Sequence, residues 1–245
     1  MKKIIVLFDT HIPGHINLNP IFNFISDFIP DIIVLGGDLH DLGSVGTWLP
    51  DQSKHLDAGI VKGNFEELNN VLFRPLESVR PKKCEMVYLE GNHERRLIQA
   101  AASDPNLRGY IELEKNIDFK KHRMSLINMN IPYRIGSNLV VIHGIYTNIY
   151  HARKTVEAYH VSTIYGHVHT FQSHMLVSPV DNSKFYTGQS IGCLCELNPQ
   201  FMKNRPNAWV NGFAYIYWNE DDDSFQLVPV VIVHGKFRAN GKLYK

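Results

Sequence analysis

The chain is poor in cysteine. Its 245 residues hold three, Cys84, Cys193 and Cys195. An odd, sparse set makes no disulfide framework, and a reducing cytoplasm suits it best. Cys193 and Cys195 have the spacing of a soft metal pair. No second cysteine pair completes a zinc set, so small buried residues on a strand are the favoured reading. An excess of one charge is also missing. The formal net charge is +1, which gives no global basic field for nucleic acid and no acidic surplus to keep the chain unfolded. Long apolar runs are lacking too. Ile4–Phe8 after Lys2 and Lys3 imitates a signal peptide, but Asp9 ends the run too early, and no later stretch approaches a membrane span. No repeat, low-complexity segment or linker divides the chain, so one domain over residues 1–245 is expected.

What is present is ordinary for a globular protein: 44% hydrophobic and 20% charged residues, in a chain long enough to bury a real core. Lys3–Phe8 and Ile32–Leu35 are short apolar runs, the pattern of strands buried on both faces. Between them Ile21, Phe24, Ile25 and Phe28 recur at helical spacing, closed by Pro30. This strand–helix–strand order predicts parallel strands. Asp41–His55 reads as a loop, and Leu56–Val79 as a helical stretch broken at Gly59, Gly63 and Pro75. Glu85–Leu89 reads as a strand, with a helix beginning near Glu94; Asp104–Met129 carries mixed signals. Val140–His143, Ser162–Tyr165, His174–Val177, Phe185–Gly188, Gly212–Trp218 and Phe225–Val233 read as strands, and Thr147–Tyr159 as a helix. The first half is therefore helix-rich and the second β-rich.

The residues just past these strands carry the chemistry. Asp9-Thr10-His11 follows the first, Gly37-Asp38-Leu39-His40-Asp41 the second and Gly91-Asn92-His93-Glu94 the third. His143-Gly144 and Gly166-His167-Val168-His169 follow two more. Each piece has a bland reading of its own: an Asx turn at Asp9, a turn dipeptide at Gly37-Asp38, a helix cap at Asn92, a core histidine at His143. A lone His-x-His is more often chance than ligand. Five such coincidences at five strand ends are improbable together, and sites in open α/β sheets form at the carboxyl ends of parallel strands. Mixed carboxylate and imidazole donors suit borderline transition metals rather than calcium. Asp9, His11, Asp38, Asn92, His143, His167 and His169 are too many for one ion; two ions about 3.5–4 Å apart, sharing a carboxylate, would use them all.

In this order and spacing the five blocks resemble the calcineurin-like metallophosphoesterase superfamily, whose pattern is D-x-H, G-D-x-x-D, G-N-H-D/E, a lone H and G-H-x-H. The match covers residues 9–169; the last third shares only a β-rich character. The wording around Gly91-Asn92-His93-Glu94 is similar to small bacterial and bacteriophage members. The resemblance implies an α/β fold, a four-layer sandwich of two mixed β-sheets flanked by α-helices. It implies one ion on Asp9, His11, Asp38 and His169, a second on Asp38, Asn92, His143 and His167, and hydrolysis of a phosphoester by a hydroxide held between them. Manganese is the expected metal in vitro, with iron, zinc or nickel as alternatives. His93 is the expected general acid, with Asp41 or Glu94 orienting it.

Two departures bear on the substrate. Protein phosphatases of this superfamily carry arginines where this chain has Leu42 and Glu90. Losing that bidentate clamp on a monoester dianion tilts the expectation toward a phosphodiester, of a nucleotide or of DNA or RNA. Arg95, Arg96 and His40 are the candidate substrate contacts, although a solvated helix start and an uninvolved loop histidine are the plainer readings. A phosphomonoesterase is the alternative. A nucleic-acid-processing module, with basic patches at Lys115–Arg123 and Lys236–Lys245, is a further one. Asp41–Glu85 and Arg95–Asn138 are expected to shape the substrate site.

Overall fold

The computed structural model describes residues 1–42 and 58–245. In chain order, β1 (Lys2–Leu7), α1 (Asn19–Phe28) and β2 (Ile32–Leu35) come first, then α2 (Ala58–Leu68), α3 (Arg74–Val79), β3 (Glu85–Leu89), α4 (Asn92–Ser103), α5 (Leu113–Asn116) and β4 (Met124–Ile127). The second half holds β5 (Tyr133–Ile135), β6 (Leu139–Ile142), α6 (His151–Tyr159), β7 (Ser162–Tyr165), β8 (Phe171–Ser178) and β9 (Asp181–Ile191). It closes with β10 (Gly212–Trp218), β11 (Phe225–Val231), β12 (Phe237–Ala239) and β13 (Lys242–Tyr244).

Two mixed sheets result. One has the order β11-β10-β1-β2-β3-β4, with β1 to β4 parallel and β10 antiparallel to β1. The other has the order β5-β6-β7-β9-β8, with β6, β7 and β9 parallel. Strand alternation divides the apolar residues between two cores. Ile4, Val6, Ile32 and Val34 face the second sheet, where Leu139, Val141, Ile164 and Ile191 meet them. Ile5, Leu7, Ile33 and Leu35 face the other way, toward Ile21, Phe24, Ile25 and Phe28 of α1. Gly188 of β9 lies so close to α6 that a Cβ there would sit 2.3 Å from the Ala152 carbonyl. Helices thus flank the paired sheets on both outer sides, as the resemblance implied.

The differences from the sequence reading are local. The expected loop Asp41–His55 and the first residues of the Leu56–Val79 helix lie largely outside the described residues. The helix runs through Gly59 and Gly63 and departs from α geometry only at Asn69–Phe73, a π turn. Pro75 accounts for the position, because its ring lacks an N–H and crowds the carbonyl four residues back. The α6 helix begins at His151 rather than Thr147, and β11 stops at Val231. The basic stretch Lys236–Lys245 forms the β12–β13 hairpin. Its Phe237 and Tyr244 pack on Phe24, and its Lys242 pairs with Asp27 at 2.5 Å. Among the described residues no helix is long and apolar enough to cross a membrane.

Candidate metal centre

The strand ends converge through backbone contacts between loops. Asp9 N donates to Gly37 O at 3.1 Å, His11 N to Asp38 O at 3.0 Å and Gly166 N to His143 O at 2.9 Å. Asp9, His11, Asp38, His167 and His169 all take left-handed backbone angles, with φ between 45° and 67°. Such conformations cost on the order of 1–3 kcal/mol each and persist where the surroundings over-determine them, commonly at functional sites. Close approach sets one glycine: a Cβ on Gly91 would lie 2.2 Å from Asp38 Oδ1. Without it, the α4 N-terminus reaches Asp38, and His93 N donates to Asp38 Oδ1 at 2.8 Å. The positive end of the helix there favours the carboxylate.

Asp38 is the centre of the arrangement. Its Oδ2 lies 3.5 Å from His143 Nε2, 3.7 Å from His93 Nε2 and 3.9 Å from His11 Nε2. Asp9, His11 and Asp38 form one cluster of converging donor atoms, and Asp38, His143 and His167 form another. His169 Nε2 joins the first, 3.1 Å from His11 Nε2 and 3.7 Å from Asp9 Oδ1. Asn92 Oδ1 joins the second, 3.0 Å from His143 Nε2. All seven residues expected as ligands therefore meet, in two groups that share Asp38.

These donors fit metal ions. Asp9 Oδ2 accepts from His167 N at 2.7 Å, but its buried Oδ1 has no hydrogen-bond partner. A buried carboxylate oxygen without a donor is costly unless a cation meets it. The tightest donor pairs, 3.0 and 3.1 Å apart, match the roughly 3.0 Å edge of an octahedral coordination shell with bonds of about 2.1 Å. His143 Nδ1 donates to Gly36 O at 2.9 Å, which leaves the Nε2 lone pair facing the cluster. Electrostatics agree. Burial would raise the Asp38 carboxyl, but His143, His93 and His11 hold it well below the usual carboxylate range. Burial likewise disfavours a charged His143, but Asp38 and Asp9 override it and push it up to about 10. A proton balances the carboxylates in the bare chain, and a cation would displace it.

The residues expected around the ligands separate in the structure. His93 faces Asp41, with Nδ1 2.5 Å from the Asp41 carbonyl and 3.7 Å from its Oδ1. Arg96 reaches the same place: its guanidinium lies 2.9 Å from both His93 ring nitrogens and donates to the Asp41 carbonyl at 3.2 Å. Burial pushes His93 down to about 4. Arg95 is exposed, on a different face of α4 from Arg96. His40, expected as a substrate contact, is corrected: it is buried against Phe65, and its Nδ1 accepts from Leu42 N at 3.1 Å. Its neighbour Asp41 turns to the cluster, and adjacent residues of an extended segment point opposite ways.

Glu94 is corrected as well. Its fully buried carboxylate does not orient His93. It accepts from Asp38 N and Leu39 N at 2.9 Å, from Gly91 N at 3.0 Å and from the Tyr88 hydroxyl at 2.8 Å. It therefore ties the loop bearing Asp38 to the loop bearing Asn92. Burial and nearby Asp38 push its pKa up to about 7, while four donors favour the ionised form. Glu94→Gln would set an amide N–H₂ against those donors. An expected loss of roughly 1–3 kcal/mol per stranded buried group should show in urea unfolding of the metal-free chain. An unchanged midpoint would refute the tie.

Two contributors, Tyr88 and Trp209, escape the sequence reading, and a third, Cys195, is read there only as a small buried residue. Tyr88 reads only as a strand residue. Cys195 is buried just beyond β9, with Sγ 3.9 Å from His169 Nδ1, the ring nitrogen opposite the one facing His11. Hydrogen bonding to Cys193 and burial push its thiol far up, so it sits behind His169 as a thiol. Trp209 packs its ring 4.2 Å from that of His169. The Cys-x-Cys spacing was a signal for Cys195; nothing local marked the other two. At the positions of the missing arginines, Leu42 is buried in the helix-side core and Glu90 accepts from Met129 N at 3.0 Å.

No family model matches the chain. It is 26% identical over 260 residues to the Gene 54 protein of Mycobacterium phage L5, covering 100% of this chain and 99% of that protein. It is 25% identical over 260 residues to the Gene 54 protein of Mycobacterium phage D29, with the same coverage. Among solved structures it is similar to wild-type Vps29 from Entamoeba histolytica complexed with zinc. The TM-score is 0.51 at 13% identity, with 96% of each chain covered. A single mutant of the same Vps29 gives the same values, TM-score 0.51 at 13% identity. The chain shares the fold of Vps29, and its buried His/Asp clusters bring together donor atoms that could hold a metal ion.

Proposed function

We propose that this chain hydrolyses phosphodiesters using two divalent cations. Asp9, His11, Asp38 and His169 would hold one, and Asp38, Asn92, His143 and His167 the other. The supporting observation is Asp38 Oδ2, which faces His11 of one donor group and His143 of the other at 3.9 and 3.5 Å. Manganese is the cation of choice in vitro, with iron, zinc and nickel as alternatives. When bound, the cations would supply Lewis acidity to the phosphoryl oxygens and a nucleophile at neutral pH.

The chain's own groups do the rest. With Nδ1 held by the Asp41 carbonyl, His93 aims Nε2 toward Asp38, on the side where the ester would sit. In the bare chain burial, together with Arg96 Nη2 facing the same Nε2 at 2.9 Å, keeps the ring neutral. An anionic phosphate that draws the guanidinium to itself would favour the imidazolium, whose Nε2 proton His93 could then pass to the leaving oxygen. Arg96 adds one positive charge beside it. Diesters are favoured because Leu42 and Glu90 offer no second clamp, and a diester carries one charge fewer than a monoester dianion.

A panel on the Mn²⁺-loaded chain tests this reading: p-nitrophenyl phosphate, bis-p-nitrophenyl phosphate, cyclic nucleotides, DNA and a phosphoserine peptide. Diester turnover is expected. Efficient turnover of the peptide, with none for any diester, would overturn it.

A further inference from the structure

We propose that Trp209 and Phe201 form a nucleobase-stacking subsite at the edge of the metal centre, so that the diester cleaved here carries a base. The proposal rests on the phosphodiesterase reading above and names its substrate class. Trp209 is half-buried and meets the His169 ring edge-to-face, 4.2 Å between centroids and 71° between planes. Phe201 follows at 6.3 Å, tilted by 58°, and is 61% exposed. Neither ring belongs to either hydrophobic core. A wall of two aromatic rings therefore leads from a metal-binding imidazole to the surface.

The wall is held in place. Asn207 Oδ1 accepts from Trp209 N at 2.9 Å, and Asn207 Nδ2 donates to Leu197 O at 2.9 Å. Val210 N donates to His169 O at 2.8 Å, so the loop carrying Trp209 is fastened to the loop carrying the ligand. The ring is pre-positioned before any ligand arrives, which lowers the entropic cost of binding. Aromatic faces stack on any nucleobase, and cations alongside track the phosphates. Lys203 and Arg205, both exposed, lie between the two rings in sequence. A phosphate at the metal centre would place its sugar and base within reach of Trp209. The shared chemistry is a base beside a phosphate, from a mononucleotide or from a single strand.

The test compares two esters with one leaving group on the Mn²⁺-loaded full chain: the p-nitrophenyl ester of thymidine 5′-phosphate and methyl p-nitrophenyl phosphate. Trp209→Ala should lower kcat/KM for the thymidine ester more than for the methyl ester. The expected differential is roughly 5- to 150-fold, from about 1–3 kcal/mol per stacked base. Trp209→Phe should restore most of it. Phe201→Ala, which leaves His169 untouched, should give the same sign. Calorimetric binding of thymidine 5′-phosphate against ribose 5-phosphate gives a readout independent of turnover. Equal losses on both esters, with Trp209→Ala leaving nucleotide binding intact, would overturn the subsite while leaving the diesterase reading standing. Trp209-dependent nucleotide binding in a chain that cleaves no diester would support the subsite and overturn the activity. Salt-sensitive oligothymidylate binding weakened by Lys203→Ala and Arg205→Ala would identify the source as a single strand. Salt-insensitive binding of the mononucleotide alone would identify a nucleotide.

Discussion

Asp38→Asn is expected to lower diester turnover by about 10³-fold or more and to reduce the occupancy of both metal positions. The substitution is nearly isosteric. Asparagine tolerates the left-handed φ of 49° at this position, and its oxygen can still accept from His93 N. What disappears is one buried negative charge shared by two donor groups. Several kcal/mol of cation-derived stabilisation, at about 1.4 kcal/mol per decade, sets the size of the loss. Metal analysis should approach two ions per chain in the parent protein, with both lowered in Asp38→Asn. His169→Ala should lower mainly one, because its Nε2 faces His11 and Asp9 of the first donor group. A parent stoichiometry of one at saturating metal would refute the shared role of Asp38.

His93→Ala should lose roughly 10²–10⁴ in rate, the range for general acid–base catalysis, while keeping both ions. Retention of metal is expected because His93 Nδ1 is engaged at 2.5 Å by the Asp41 carbonyl and the ring packs beside Arg96. The loss should depend on the leaving group. A p-nitrophenolate departs without a proton and should suffer less; a sugar alkoxide needs one and should suffer fully. Equal losses on both, with metals retained, would assign His93 to phosphate stabilisation instead. His11, Asp41 and His93 also bring three donor atoms together. Loss of an ion from the variant would therefore make His93 a ligand.

Much of this arrangement is legible from residue order. A strand of four or five residues rich in apolar or β-branched side chains, with a glycine soon after and then Asp, Asn or His, needs no knowledge of its neighbours to be recognised. Ile32–Leu35, Glu85–Leu89 and Ser162–Tyr165 occur where the pattern puts them. The short strands β4, β5, β12 and β13 are less legible. Three or four half-exposed residues carry too little alternation, and pairing with distant partners decides them. The same holds for the exposed Gly59 and Gly63, which stay helical against their propensity because Val61, Phe65 and Leu68 of the same helix are buried in the core.

By itself the sequence determined the donor chemistry and the parallel core, because ligand type is a property of each side chain and strand burial is a property of each short run. Only the tertiary structure decided how those side chains are used. Which ring nitrogen of His143 faces the cluster depends on Gly36, 107 residues away, and the Glu94 carboxylate serves Asp38 N, 56 residues away. His40 turns to stack on Phe65, while Asp41 turns to His11 and His93 of the cluster. Trp209 reached His169 because a backbone hydrogen bond joins their loops. Orientation is fixed by contacts between segments remote in the chain, and a local pattern carries no record of them.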